Sequence, residues 1–325
     1  MIVEWRINMK YDIICAGSAV TDILAYHYDP EHFATGHVPC EYFKLSMGGN
    51  ALNNAVIMTR LGKKACLVAR IGRDYFGDGL AEFCRDNGVE DEWLIRDEHA
   101  MSSVSVVLVD KTGERAFVTN EQGSIRMLEA EDLDFDKLPD AKAFILSCML
   151  MFPKITPEKA EVIYSEAKRR GMITAMDISR LKEHETDEVL SPIFPHLDYF
   201  FLNRYEANYL TGKSELPEMA DSFLRWGVKN VIIKTGAEGC YVKNATSELY
   251  VPAYEETKCI DTTGAGDTFA GAFLTAILDG ADVREAAMFG NAAASITVES
   301  LGAVTGLQHR SQVEERFEAL KNQIK

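Results

Sequence analysis

From residue 143 onward the chain alternates two kinds of segment. Residues 143–147, 172–176, 198–202 and 230–234 are short apolar runs that read as strands, and residues 157–170 and 219–226 read as helices between them. This rhythm leaves few folds open. Parallel neighbours need long crossover connections, and a sheet covered by helices on both faces has near-continuous apolar strands. Residues 11–15, closed by Gly17, and residues 65–70 read as further central strands. The expectation is an α/β protein built on a mostly parallel sheet covered on both faces.

Two stretches break the rhythm. Residues 23–46 carry short aromatic and β-branched pieces without a helical period. Residues 103–109 and 115–119 alternate across Asp110-Lys111-Thr112-Gly113-Glu114, which predicts a hairpin. Together, residues of about 22–46 and 99–120 predict a small accessory sheet. Further helices are expected at 51–61 (stopped by Gly62), 79–87 (after a loop at 72–78), 282–300 and 310–323.

The chemistry concentrates in Asp261-Thr262-Thr263-Gly264-Ala265-Gly266-Asp267-Thr268-Phe269. Lys258, Cys259 and Ile260 read as a strand end, and a helix is expected to start near Gly266 or Asp267. A Gly-rich turn at a helix start presents unpaired N–H groups at the positive end of the dipole, which is an anion site. The Walker pattern G-x-x-x-x-G-K-[ST] is absent, so main-chain N–H groups are expected to hold the anion. Asp267 has two readings: a helix cap, or a base that takes a proton from a hydroxyl attacking a phosphate.

Other candidates follow predicted strands, at the edge where open α/β sheets bind ligands. Asp22 follows Gly17, as a turn Asp or an acceptor for sugar hydroxyls. Gly48, Gly49 and Asn50 precede a helix that carries Asn53, with Asn50 expected as its N-cap. Asn203-Arg204-Tyr205-Glu206 and Lys234-Thr235-Gly236-Ala237-Glu238-Gly239 come next. Asn291 lies in an alanine-rich helix.

Composition narrows the function. With 34 basic and 50 acidic residues the net charge is −16, which argues against nucleic acid or anionic membranes as partners. The apolar run at 143–152 is too short to span a bilayer. Residues 1–8 carry no signal-peptide core and read as a loose extension before Met9. The seven scattered cysteines, without C-x-x-C, point to free thiols in a reducing cytoplasm. His27, His32, His37 and Cys40 fit no zinc spacing and read as a solvated loop. No G-x-G-x-x-G follows the first strand, which excludes a nucleotide-dependent dehydrogenase.

In order and spacing these motifs resemble the ribokinase-like (PfkB) carbohydrate kinases over most of the chain. The branch most similar is the YdjH-type bacterial sugar kinases, through Thr119-Asn120-x-x-Gly123-Ser124 and residues 231–240. Asn50 departs from ribokinase itself, which has a basic residue there. The resemblance implies a ribokinase-like three-layer sandwich with a β-sheet lid, a single domain over 9–325, and a possible homodimer through the lid. It implies ATP and Mg²⁺, with Asp267 as general base and the N–H groups of Gly264, Ala265 and Gly266 as anion hole. It places a sugar against Asp22, Gly48, Gly49, Asn50, Asn53 and Asn120. It places the nucleotide against Asn203, Lys234, Thr235, Gly236, Gly239 and Asn291, and Mg²⁺ near Glu206 through water. A monovalent cation such as K⁺ would sit by Asp261 and Thr263. The alternatives are a nucleoside kinase of the same superfamily and a non-catalytic sugar sensor.

Overall fold

The computed structural model describes residues 10–111, 115–179 and 190–324. The extension expected at residues 1–8, both ends of the 9–325 span and the tip of the 110–114 turn lie outside them. The first half runs β1 (Tyr11–Ala16), β2 (Val20–Tyr28), β3 (Tyr42–Gly48), α1 (Asn50–Arg60), β4 (Ala65–Gly72), α2 (Tyr75–Asp86), β5 (Leu94–Asp97), β6 (Val104–Asp110) and β7 (Arg115–Thr119). It continues through β8 (Ala141–Ser147), α3 (Pro157–Arg169), β9 (Ile173–Asp177), β10 (Tyr199–Asn203), α4 (Arg204–Thr211), α5 (Leu216–Arg225) and β11 (Asn230–Lys234). The last part is β12 (Gly239–Asn244), β13 (Glu248–Pro252), α6 (Ala265–Leu278), α7 (Val283–Thr297) and α8 (Arg310–Ile324).

The main sheet has the order β13-β12-β11-β10-β9-β8-β1-β4-β5. From β5 to β11 neighbours are parallel, and β12 and β13 add an antiparallel edge. Both faces are covered. On β1 and β8, Ile13, Cys15, Ala143 and Ile145 join a core with α1, α6 and α7. Ile14, Ala16, Phe144 and Leu146 join another with α3, α4 and α5. That double burial is why these strands read as unbroken apolar runs. Within the first core Gly290 lets α7 approach α6: a Cβ there would fall 2.9 Å from the Phe269 ring.

The second sheet has the order β3-β2-β6-β7 and joins the two irregular stretches of the sequence. One face of β6 meets a core, so that strand alternates: Ser105, Val107 and Val109 are buried while Val104, Val106 and Leu108 are partly exposed, and on the edge strand β7 both Phe117 and Val118 are exposed. Phe43 and Leu45 are exposed on β3, the opposite edge strand.

Several local expectations are corrected. Residues 258–260 form no strand; the N–H groups of Ile260 and Asp261 both donate to Val298 O, binding this stretch to the end of α7. Helix α2 starts at Tyr75 rather than 79, because the Asp74 carboxylate caps it through Gly77 N at 2.8 Å, a contribution of about 1 kcal/mol. Helix α5 starts at Leu216, with proline in its first turn. The hairpin β12–β13 was not expected; its turn is held by Asn244 Oδ1, which accepts from Thr246 N and Ser247 N. All seven cysteines are free, and no group of three or more His, Cys, Asp or Glu that could hold a metal occurs among the described residues. No described helix is long and apolar enough to cross a membrane.

Candidate active site

The turn into α6 is shaped by contacts that only glycine permits. Gly264 caps the helix with φ 76°, and a Cβ there would lie 2.5 Å from Ala303 Cβ and 2.7 Å from Ala303 O. Both the left-handed backbone and the space require glycine. The Asp261 carboxylate fixes the turn from below, accepting from Thr263 N at 2.8 Å and Gly302 N at 2.9 Å. Of the expected anion-hole N–H groups, that of Ala265 donates to Thr262 O at 3.2 Å. Those of Gly264 and Gly266 donate to no acceptor among the described residues. The helix starts at Ala265, one or two residues before the expected start at Gly266 or Asp267.

Asp267 is therefore the third residue of α6 and its side chain does not cap the helix. Its carboxylate is gripped from α1: Asn50 Nδ2 donates to Oδ1 and Asn53 Nδ2 donates to Oδ2, both at 2.7 Å. Asn54 Nδ2 donates to the Asp267 carbonyl at 2.8 Å. Asn50 is not the expected N-cap. Gly49, at φ 106°, occupies that position, and Asn50 N donates to Ser18 Oγ, which leaves the Asn50 side chain for Asp267. A Cβ on Gly49 would lie 2.5 Å from Ser18 O.

Asp267 is 7% exposed. Burial, then the charge of Asp177, push its carboxyl up to about 6, against the pull of the two asparagine bonds. Asp177 was not anticipated. It ends β9, is 3% exposed, and accepts from Cys148 N at 2.8 Å; burial raises its carboxyl too. Both acids are thus held toward the neutral form, as expected of two carboxylates sharing one low-dielectric site.

A cavity of about 350 Å³ lies between the two sheets and opens onto Asp267. Its walls bring together Asp22, Gly48, Gly49, Asn50, Asn53 and Asn120 with Asp261, Thr263 and Gly264. Asn53 Oδ1 is buried with no partner among the described residues, so it seeks a donor from a ligand or water. A Cβ on Gly48 would sit 3.4 Å from Asp22 Oδ2 and 3.7 Å from Asn53 Oδ1. The Asn120 amide is partly committed, accepting from Val104 N and donating to Ser102 O. A larger open groove of about 560 Å³ lies at the far end of α6, by Asp279 and Phe317, and contains none of these residues.

The remaining candidates line the carboxyl edge of the sheet beyond α6. Asn203 and Glu206 form a reciprocal cap: Asn203 Oδ1 accepts from Glu206 N and a Glu206 oxygen accepts from Asn203 N. Glu206 is buried and its carboxyl is raised by burial, with the charge of Lys234 acting against the rise. Lys234 pairs in register with Asn203 on the neighbouring strand. Thr235, Gly236 and Gly239 form the turn into β12. The Asn291 amide donates to Val251 O and Pro252 O, which fixes the end of β13. One buried carboxylate without a protein cage suits Mg²⁺, which keeps several waters and is largely carried by phosphates.

Comparison with known proteins bears on this geometry. The model of the pfkB family carbohydrate kinases matches residues 10–310. Ribokinase of Schizosaccharomyces pombe is 26% identical over 334 residues, covering 96% of this chain and 99% of its own. A probable chloroplastic fructokinase-6 of Arabidopsis thaliana is 28% identical over 322 residues, covering 93% and 81%. The crystal structure of ribokinase from Thermotoga maritima superposes with a TM-score of 0.81 at 29% identity, covering 95% and 99%.

Proposed function

The chain belongs to the pfkB family of carbohydrate kinases, and from that premise we propose that it moves the γ-phosphoryl group of ATP to a hydroxyl of a small sugar or polyol bound in the cavity between the sheets. The observation that carries this reading is the Asp267 carboxylate, clamped by Asn50 and Asn53 at the mouth of that cavity and beside the start of α6. Two donors hold both carboxylate oxygens in place and leave lone pairs free, so the group is oriented before the substrate arrives.

In the proposed reaction the sugar oxygen forms a bond to the γ-phosphorus while the bond to the bridging oxygen breaks, and that electron pair leaves with ADP. The hydroxyl proton passes to Asp267. The N–H groups of Gly264 and Gly266, with the helix dipole behind them, offset charge on the phosphoryl oxygens. Asp22, Gly48, Gly49, Asn50 and Asn53 orient the acceptor, and Asn120 shapes the wall beside it. The 234–239 turn, Asn203 and Asn291 line or support the nucleotide. Mg²⁺, when bound, neutralises phosphate charge; Glu206 and Asn203 are the residues placed to hold its water shell. A K⁺ beside Asp261 and Thr263, action in the cytoplasm, one domain over 9–325, and pairing of two chains through the lid belong to the same reading.

The test is ATP-dependent ADP release with ribose, fructose, other phosphorylatable sugars and polyols, and adenosine and inosine. Turnover with a sugar and none with nucleosides supports the reading. Turnover with a nucleoside alone transfers the site to the nucleoside-kinase alternative. Sugar binding without turnover returns the sensor alternative.

A further inference from the structure

The start of α6 has no cation in its own loop, and the fold brings one from the sheet. Lys234 ends β11. Its Nζ would lie 3.1 Å, and its Cε 3.9 Å, from a Cβ built on Gly266. The ammonium therefore sits against the first turn of α6 at Gly266, one of the two residues with an uncommitted N–H group. Gly266 has no left-handed backbone to explain it, and its missing side chain is the space that Lys234 uses. Lys234 is only partly exposed, yet it has no carboxylate within ion-pair distance among the described residues. Lys168 in α3, Lys229 just before β11 and Lys243 in β12 all have one.

Two features make this placement costly. A half-buried ammonium without a paired anion loses hydration, and a cation at a helix N-terminus meets the positive end of the dipole. Asp177, Glu206 and Asp267 lie close enough for Lys234 to lower their carboxyls, which eases the cost without supplying a contact. A phosphate at the helix start would satisfy the ammonium and the N–H groups together.

We propose that Lys234 is the cationic arm of the anion hole, contacting the γ-phosphoryl group of ATP during its transfer. This rests on the kinase reading above and deepens it. In the step already written, Lys234 keeps its proton; it offsets charge on the phosphoryl oxygens while Asp267 takes the proton of the acceptor. The chain thereby reaches from β11 what a Walker loop achieves with a lysine of its own.

The experiment is calorimetric binding of Mg²⁺-ADP and of the Mg²⁺ complex of the β,γ-imido ATP analogue to the whole protein, for the wild type, Lys234→Met and Lys234→Arg. Lys234→Met is expected to weaken the analogue about tenfold or more, the loss typical of one hydrogen bond to a charged group, and to leave ADP affinity nearly unchanged. Lys234→Arg recovers part of the loss. With an accepted sugar, kcat falls in Lys234→Met while the sugar KM stays close to the wild-type value. Equal affinities for both nucleotides in wild type and variant, or equal losses of both, overturn the proposal. A lysine that merely offsets Asp177 and Glu206 would lower Tm and move the acid limb of the pH profile without changing the analogue-to-ADP ratio, which also overturns it. If Lys234→Met does not fold, Lys234→Gln is measured by the same ratio. A wild-type protein that binds neither nucleotide refutes the kinase reading itself.

Discussion

Replacing Gly266 by alanine separates stability from activity. The added methyl meets only the end of the Lys234 side chain, at 3.1 Å from Nζ and 3.9 Å from Cε. A flexible ammonium yields by a few tenths of an ångström, so the fold tolerates the change. Alanine in place of glycine in a helix contributes up to about 1 kcal/mol, less in a first turn. The expectation is an unchanged or slightly raised Tm. Activity goes the other way. The methyl stands between the N–H groups of the first turn and an approaching phosphate, and misplacing reacting groups by about 1 Å costs on the order of 10²-fold. Gly264→Ala is the contrast: at φ 76° and 2.7 Å from a backbone oxygen, it adds strain of about 1–3 kcal/mol and lowers Tm as well as rate. Thermal melts and ADP release on both variants give the answer. A Gly266→Ala enzyme with full turnover would refute the claim that phosphate approaches this turn.

The pH profile should follow the raised carboxyl of Asp267. A base works when ionised, so kcat/KM is expected to be full above about pH 7 and to fall as pH drops through about 6, not near 4 as for an ordinary aspartate. Asp177→Asn should move this limb to lower pH, because the Asp177 charge is one cause of the rise; an unmoved limb contradicts the coupling. Gly48→Ala places a methyl 3.4 Å from Asp22 Oδ2 inside the acceptor cavity. It should raise the sugar KM roughly tenfold, as small steric changes in binding sites do, with Tm within a few degrees and ATP affinity unchanged. Phe43 is 68% exposed and Leu45 is 52% exposed on β3. If the lid pairs two chains, Phe43→Ser should convert a dimer to a monomer in light scattering; a wild-type monomer contradicts the pairing.

The order of elements was legible because the sheet is buried on both faces. Strands β7 and β11 match the expected residues 115–119 and 230–234, β1, β4, β6, β8, β9 and β10 lie within two residues of expectation, and β5, β12 and β13 were not anticipated. Residues 258–260 misled because Cys259 and Ile260 have strand propensity, yet Ile260 is 61% exposed and runs beside the end of α7. Propensity cannot say whether a partner strand is present. In the site, the Gly-rich turn and Asp267 were readable from local pattern. The grip on Asp267 was not, because Asn50 lies 217 residues away in the chain and reads locally as a helix cap. Asp177 looked like any polar residue closing an apolar strand, and only the pairing of β8, β9 and β10 carries it to the shared edge. Lys234 was visible as a residue of the 234–239 turn, but its approach to Gly266 depends on how α6 crosses the sheet.

The most direct test of the account is Asp267→Asn, assayed for turnover with an accepted sugar alongside a thermal melt. The amide places an NH₂ opposite one asparagine donor and leaves a buried group unsatisfied, a cost of about 1–3 kcal/mol. It also removes a carboxylate whose raised value means that its ionised form weakens the fold increasingly as pH climbs from about 4 through 6. These effects oppose each other, so at pH 7.5 Tm should shift by only a few degrees. The expected result is a kcat lower by about 10²–10⁴-fold in a folded protein that still binds ATP and sugar. A variant with kcat within a few-fold of the wild type would contradict it.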